Sequence, residues 1–198
     1  MSAKEADYYD ADVRAGGLAT LRLVDSPWLP LYVRAREWIP TGDPVFDLGC
    51  GTGRFAAALL ASGHAAPYLG FDFSPASIEE ARICVYDPLF EFHVADLRDF
   101  VISGPISGAT IFTCLEVLEH LDDDLGLVEC VPSGHRFVFS VPSFPSESHV
   151  RHFPHAGVAF DRYAPLLDFV GWRAIDMSPP DGRRIHLFDT RRRGDSWR

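Results

Sequence analysis

A chain of 198 residues with 47% hydrophobic residues has the length for one globular domain with a sizeable core. Its net charge of -10 argues against a broad nucleic-acid surface, and no apolar run approaches the roughly 20 residues that cross a bilayer. Cys50, Cys84, Cys114 and Cys130 form no C-x-x-C pair, and the polar start has neither a basic end nor an apolar stretch, which predicts reduced thiols and a cytoplasmic protein without a signal peptide.

Periodicity predicts an opening helix over 4–15, carrying Tyr8 and Tyr9. "DSPWLPLYVRAREWIP" predicts a second, with Ser26 as cap, Pro27 or Pro30 in the first turn and Pro40 as stop; Leu31, Ala35, Trp38 and Ile39 share one face. A strand at 44–48 follows, then a helix at 53–62 ended by Gly63, a strand at 67–71, and a helix from Ser74-Pro75 to about 84. Further strands are predicted at 89–94, 109–114 and 135–141, with a short helix at 122–130 between the last two. After a loop at 142–158 come a helix at 160–168 and two closing strands, "GWRAIDM" and "RRIHLFDT", around the turn "SPPDG".

This alternation predicts an α/β domain: a seven-stranded, mostly parallel sheet covered on both faces, with an antiparallel strand at one edge. No internal repeat or interdomain linker interrupts it. Arg183, Arg184, Arg191, Arg192, Arg193 and Arg198 concentrate in the tail, which reads as a solvated, frayed end rather than a phosphate or RNA patch.

In such a sheet ligands bind outside the carboxyl ends of the strands. The strands deliver Asp47, Asp72, Asp96 and Glu116 there, all acidic. Behind the first lies "VFDLGCGTGRF", residues 45–55, with Gly49, Gly51 and Gly53. A dinucleotide fingerprint, G-x-G-x-x-G, wants a glycine where Arg54 stands. An anionic pyrophosphate would also meet Asp47, at about 3 kcal/mol for like charges ~5 Å apart at an effective dielectric of ~20. A ligand with an ammonium, a sulfonium and ribose hydroxyls suits the lining instead. S-adenosylmethionine has all three, with a carboxylate that a helix N-terminus can hold.

"VFDLGCGTGRF" together with "LGFDFSPASIEEAR", "CLEVLEHLDDD" and "FVFSVPSF" resembles the class I S-adenosylmethionine-dependent methyltransferases, in particular the ubiquinone-biosynthesis O-methyltransferase-like group, over about residues 40–142. The resemblance implies a Rossmann-like class I methyltransferase fold with 1–40 as a helical lid, 41–142 as the cofactor core and 143–198 as the acceptor loop, last helix and closing strands. It implies S-adenosyl-L-methionine as methyl donor and S-adenosyl-L-homocysteine as product. Gly49, Gly51 and Gly53 would let bare backbone approach the methionine portion, with Cys50 a buried small residue of the turn. Asp47 would orient the turn and meet the amino group, directly or through water, Asp72 would accept the ribose hydroxyls and Phe73 would cover the adenine. Asp96 and Leu97 would lie at the adenine edge, Leu115 or Glu116 near the amino-acid end, and Tyr9 in the lid. Arg14 and Arg22 are lesser candidates for the cofactor carboxylate.

Methyl transfer is an in-line displacement helped by alignment and, for a hydroxyl or protonated amine, by a base. Among the eight histidines, His120 in "EVLEH" and His149 and His152 in "SESHVRHFPHAG" are the catalytic candidates, with Glu147 and His155 nearby. Phe144, Phe153, Phe160, Tyr163, Phe169 and Trp28 could wall an apolar acceptor pocket. The expected enzyme is a metal-free methyltransferase acting on oxygen or nitrogen of a small molecule, with no nucleic-acid or membrane partner, as monomer or homodimer. Glu116, Glu119, His120 and a loop histidine also resemble the Glu, Glu, His, His metal ligands of small-RNA 3′-terminal 2′-O-methyltransferases. That alternative ranks lower because "EVLEH" also occurs in the metal-free group, the charge is acidic and no RNA-binding domain is attached. A second alternative is a non-catalytic module that binds S-adenosylmethionine.

Overall fold

The computed structural model describes residues 4–99, 110–177 and 182–194. Seven strands form one sheet: β1 (Val45–Leu48), β2 (Tyr68–Asp72), β3 (Phe90–Val94), β4 (Ile111–Leu115), β5 (Arg136–Pro142), β6 (Leu167–Asp176) and β7 (Arg184–Arg192). Their order is β3-β2-β1-β4-β5-β7-β6. The first five run parallel, and β7 is antiparallel to both β5 and β6. The antiparallel member therefore inserts one place in from the edge, and the tight turn predicted between the last two strands falls on 178–182, of which 178–181 lie outside the described residues.

The chain winds from β1 outward to β2 and β3, then returns to place β4 on the other side of β1. Neighbouring connections leave in opposite directions there, which opens a crevice at the carboxyl ends of β1 and β4. The helices are α1 (Ala6–Arg14), α2 (Leu29–Arg36), α3 (Arg54–Ala61), α4 (Pro75–Cys84), α5 (Asp124–Cys130) and α6 (Ala156–Tyr163). Helix α4 starts as its sequence dictates: Pro75 needs no amide partner, and Ser74 Oγ accepts the Ser77 N–H at 3.0 Å.

Each sheet face carries its own core. On one, Leu31 and Ala35 of α2, Phe55 and Leu59 of α3 and Ile78 and Ala81 of α4 pack on Val45, Tyr68, Val138 and Leu187. On the other, Val128 of α5 and Ala159 and Tyr163 of α6 pack on Leu48, Phe112, Phe137, Phe139 and Phe188. Apolar burial on both faces explains why the middle strands read as continuous hydrophobic runs.

Two expectations change. The last helix spans 156–163 rather than 160–168, because Leu167 and Asp168 already pair with Arg192 and Arg191. The arginine-rich tail is not a frayed end through residue 193: Arg192 is buried in β7, Arg184 pairs with Asp176 at 2.8 Å and Arg193 with Asp168 at 2.7 Å. Arg198 lies outside the described residues.

Candidate active site

A cavity of about 660 Å³ opens at the carboxyl ends of β1, β2 and β4, beneath α1. At one end the chain leaving β1 doubles back on β2, where the Gly49 and Cys50 amides both donate to the Phe71 carbonyl at 2.8 and 2.9 Å. That reversal puts Gly49, Gly51 and Gly53 at φ of 81°, 52° and 75°, values that favour glycine. The three are not equivalent. A Cβ on Gly49 would lie 2.3 Å from Val117 Cγ2, so packing excludes a side chain there, and one on Gly53 would lie a tight 3.1 Å from Ala81 Cβ. A Cβ on Gly51 would meet nothing within 4 Å, and Gly51 lines the cavity. Only Gly51 keeps open room for a ligand.

Asp72, the last residue of β2, faces this room. Its Oδ2 accepts the Gly51 amide and its Oδ1 the Ser74 amide, each at 2.9 Å, which leaves one lone pair on each oxygen for a ligand. Burial pushes its carboxyl above the ordinary range, opposed by those two amides. Phe73, Asp96, Leu97 and Leu115 complete this end. The Asp96 carboxylate is held by Arg98, whose guanidinium reaches it at 2.6 Å and also forks onto Glu5 at 3.0 Å.

Helix α1 roofs the cavity because two of its side chains, Asp10 and Tyr9, reach the sheet ends. Asp10 Oδ1 accepts Ser74 Oγ at 2.5 Å and the Ala76 amide at 3.2 Å, fastening α1 to the start of α4. Tyr9 packs on Phe73 with centroids 5.3 Å apart, and its hydroxyl lies 3.2 Å from His120 Nδ1. The lid expected over 1–40 thus touches both ends of the cavity at once.

At the other end Trp28, Tyr32, Phe144 and Met177 supply apolar walls, and Glu116, Glu119, His120 and His149 converge between them. Glu116 has a φ of 58°, the one non-glycine in the left-handed region among the described residues. Ser140 Oγ explains how it stays there: it accepts the Glu116 amide and donates to Oε1, both at 2.9 Å. Strain of this kind costs about 1–3 kcal/mol and gathers at sites of function.

A carbonyl can only accept, so His120 Nδ1 must donate to Ser148 O at 2.9 Å, and His149 Nδ1 to Phe144 O at 3.2 Å. Both rings are therefore pinned with Nε2 unprotonated. Burial holds His120 down at about 4 and lowers His149 as well, so both are neutral at pH 7. His120 Nε2 is 3.6 Å from Glu119 Oε1, and one ligand atom each of Glu119, His120 and His149 falls within a 4.8 Å cluster. Glu119 is fully buried and neither carboxyl oxygen has a hydrogen-bond partner.

Asp47 lies beneath the glycine turn rather than in the cavity. Along β1 it shares a face with Val45, so its side chain enters the core under the glycine turn, where it accepts from Thr113 Oγ1 at 2.6 Å and from the Tyr68 hydroxyl. Burial raises its carboxyl to about 6. Asp47 supports the turn from below and does not line the cavity. Gly53 does not line it either. His152 is exposed and outside the cavity, because Phe153, the next residue, points into the α6 core. Arg14 and Arg22 pair with Asp10 and Asp25 instead of reaching the site. Of the aromatic candidates only Trp28 and Phe144 wall the cavity; Phe153, Phe160, Tyr163 and Phe169 pack in the core. The sequence reading missed Tyr32, Arg98 and the Asp10 clasp.

Burial also sets a pH test. The Glu116 carboxyl is lifted to about 7, mainly by burial and against the Ser140 hydroxyl and Trp28 indole. A carboxyl raised on folding is neutral in both states below its unfolded value, destabilises the fold increasingly as pH rises from that value to its folded one, and adds nothing further above it. Glu116→Gln keeps the oxygen that accepts from Ser140 and removes the charge. In buffer with a chelator, the variant is expected to gain roughly 1–3 kcal/mol, several degrees in Tm, at pH 8 and little at pH 4. Equal gains at both pH values would contradict the buried charge.

Comparison with known proteins agrees with this geometry. Residues 45–131 match the family described as methyltransferase domain. The ubiquinone biosynthesis O-methyltransferase of Thiobacillus denitrificans is 30% identical over 106 residues, covering 50% of this chain and 43% of that protein. The chain therefore matches less than half the length of this curated relative. A chain of a complex containing the Haloferax volcanii Trm112 methyltransferase activator superposes with a TM-score of 0.74 at 18% identity, covering 100% of both chains. The N-methyltransferase NodS of Bradyrhizobium japonicum, bound to S-adenosyl-L-homocysteine, gives a TM-score of 0.63 at 17% identity, covering 82% of this chain and 84% of that one. These structural likenesses show the fold.

Proposed function

We propose that this chain carries an S-adenosylmethionine-dependent methyltransferase domain, binds S-adenosyl-L-methionine in the crevice and methylates an oxygen or nitrogen of a small molecule, a reading that the methyltransferase-domain match and the O-methyltransferase relative support. The observation that carries this reading is Asp72 beside Gly51: a half-buried carboxylate with acceptor capacity to spare, next to the one glycine of the turn where a Cβ would meet open space.

The residues present fit the cofactor. Asp72 would take the ribose hydroxyls, Phe73 and Leu97 would enclose the adenine, and Gly51 and Leu115 would border the methionine end. Glu116 and Cys50 complete that border. When bound, S-adenosyl-L-methionine supplies a methyl group carried on positive sulfur. The lid and apolar walls exclude water, so an acceptor is held in a low-dielectric pocket. Trp28, Tyr32, Phe144 and Met177 would orient an apolar acceptor. His149 Nε2, unprotonated because Nδ1–H is committed to Phe144 O, is placed to take the acceptor's proton, with His120 beside it at 4.9 Å between ring centroids. Radiolabelled methyl transfer to a panel of phenols and amines tests this reading; transfer to none of them, with the cofactor bound, would favour the non-catalytic module.

Gly51→Ala separates ligand room from packing. Its φ of 52° makes an alanine cost about 1–2 kcal/mol, yet nothing stands in its way. The fold is expected to persist while affinity for S-adenosyl-L-homocysteine falls roughly tenfold or more, read by calorimetry. Unchanged affinity would remove Gly51 from the binding surface.

A second reading is favoured by one observation: Glu119, buried and unpartnered, lies in a cluster with His120 and His149, whose Nε2 lone pairs are both unused. Three such donors suit a divalent cation that would polarise an acceptor hydroxyl. Methyl transfer abolished by a chelator and restored by Mn²⁺ or Mg²⁺ would select it; chelator-insensitive transfer would dismiss it.

A further inference from the structure

Arg151 lies outside the cavity, yet it makes more contacts to the turn that carries His120 than any other side chain described. Its guanidinium donates to Leu118 O at 2.8 Å, to Leu121 O, and to Asp122 O at 3.0 Å, and approaches Asp124 Oδ1 at 3.4 Å. The Val150 amide, its neighbour, donates to Glu119 O at 2.9 Å. These carbonyls belong to the 3-10 turn Leu118–His120 and the residues just after it; Leu118 O also takes the Leu121 amide at 3.4 Å, whereas Leu121 O and Asp122 O lie past the turn's own bonds.

We infer that Arg151 is the positioning residue of the histidine pair: its planar fork clasps the turn after β4, docks the loop after β5 onto it, and so brings His120 and His149 into register. The loop reaches the turn through Ser148 O on His120 Nδ1, the Val150 and Arg151 amides on Glu119 O at 2.9 and 3.4 Å, and the Arg151 fork on three carbonyls. The fork is the one of these that ties residues on both sides of Glu119 and His120. Its far side is braced, because the fully buried Asp124 is gripped by Arg162 through two bonds of 2.7 and 2.5 Å and by the Tyr163 hydroxyl at 2.7 Å. Helix α6 thereby anchors the clasp. A lysine ends in one flexible ammonium and lacks the rigid two-nitrogen fork that sets Nη1 on Leu118 O and Leu121 O and Nη2 on Asp122 O.

The assignment rests on the proposed function only for its catalytic consequence; the geometry itself is read without any acceptor. Arg151→Gln and Arg151→Lys are compared with the unaltered chain by ¹⁵N NMR of histidine side chains, with S-adenosyl-L-homocysteine calorimetry and thermal melting alongside. In the unaltered chain His120 and His149 are expected as Nδ1–H tautomers with slowly exchanging protons. In both variants those protons are expected to exchange roughly tenfold or more faster, as the loop opens locally, while cofactor affinity stays within about threefold. Nδ1–H signals that persist in both variants, with only a lower Tm, would overturn the assignment and leave Arg151 a merely structural residue. Loss of cofactor binding together with the histidine signals in both variants would also overturn it, as general unfolding. An unaltered chain that fails to bind cofactor but shows the histidine response would refute the proposed function and leave the clasp standing.

Discussion

Asp72→Ala is expected to weaken S-adenosyl-L-homocysteine binding by roughly a hundredfold or more while leaving the chain folded. Hydrogen bonds to a charged group are worth about 1.5–3 kcal/mol each, and two ribose hydroxyls would both bond this carboxylate. The fold loses the bonds to the Gly51 and Ser74 amides at 2.9 Å. It also sheds a buried charge, since burial already pushes this carboxyl up, so the two effects offset each other in stability. Asp72→Asn, which keeps one accepting oxygen, should fall between. Calorimetry on the three proteins decides. Affinity within about threefold in the alanine variant would mean that the carboxylate does not hold the cofactor.

Gly49→Ala is expected to damage the fold itself. The φ of 81° makes any side chain there cost about 1–2 kcal/mol. The new Cβ would sit 2.3 Å from Val117 Cγ2, an overpacking that adds about 1–3 kcal/mol. Together they should lower Tm by roughly 5–15 °C in a chain of this size. Val117→Ala in the same chain should recover the clash but not the backbone strain, so the double variant should melt between the two. A Gly49→Ala variant as stable as the unaltered chain would contradict the turn geometry. The contrast with Gly51→Ala matters more than either result, because one substitution strikes packing and the other strikes ligand room.

The sheet and its flanking helices were legible because their signals are local: apolar periodicity, Ser74-Pro75 at a helix start, Gly63 at a helix end. Helix α6 was misplaced because Gly157 and the histidines before it hide its first turn, and because Leu167 and Asp168 continue a helical pattern that pairing with β7 overrides. The tail looked frayed for the same reason. Arg193 and Arg184 pair with Asp168 and Asp176, and Arg191 donates to the Gly134 carbonyl, partners that no local window contains.

The site divides along the same line. Asp72, Gly51, Phe73, Leu97 and Leu115 follow from strand ends and a glycine turn, and the cavity brings them together. Asp47 did not follow, although strand alternation held the clue: two residues after Val45, it must face the core that Val45 faces. The Asp10 clasp on Ser74 and the Arg151 fork join segments 64 and about 30 residues apart, and only the folded chain reveals them. His152 shows the limit of composition as a guide. Three histidines crowd one loop, but only His149 turns inward, because the carbonyl of Phe144 holds its ring there.

Calorimetric titration of the intact chain with S-adenosyl-L-homocysteine, and separately with NADH, tests the central claim most directly. An acidic crevice bordered by Gly51 and Asp72 predicts saturable one-to-one binding of the first and no heat from the second. No binding of S-adenosyl-L-homocysteine, or NADH competing for the same site, would contradict it.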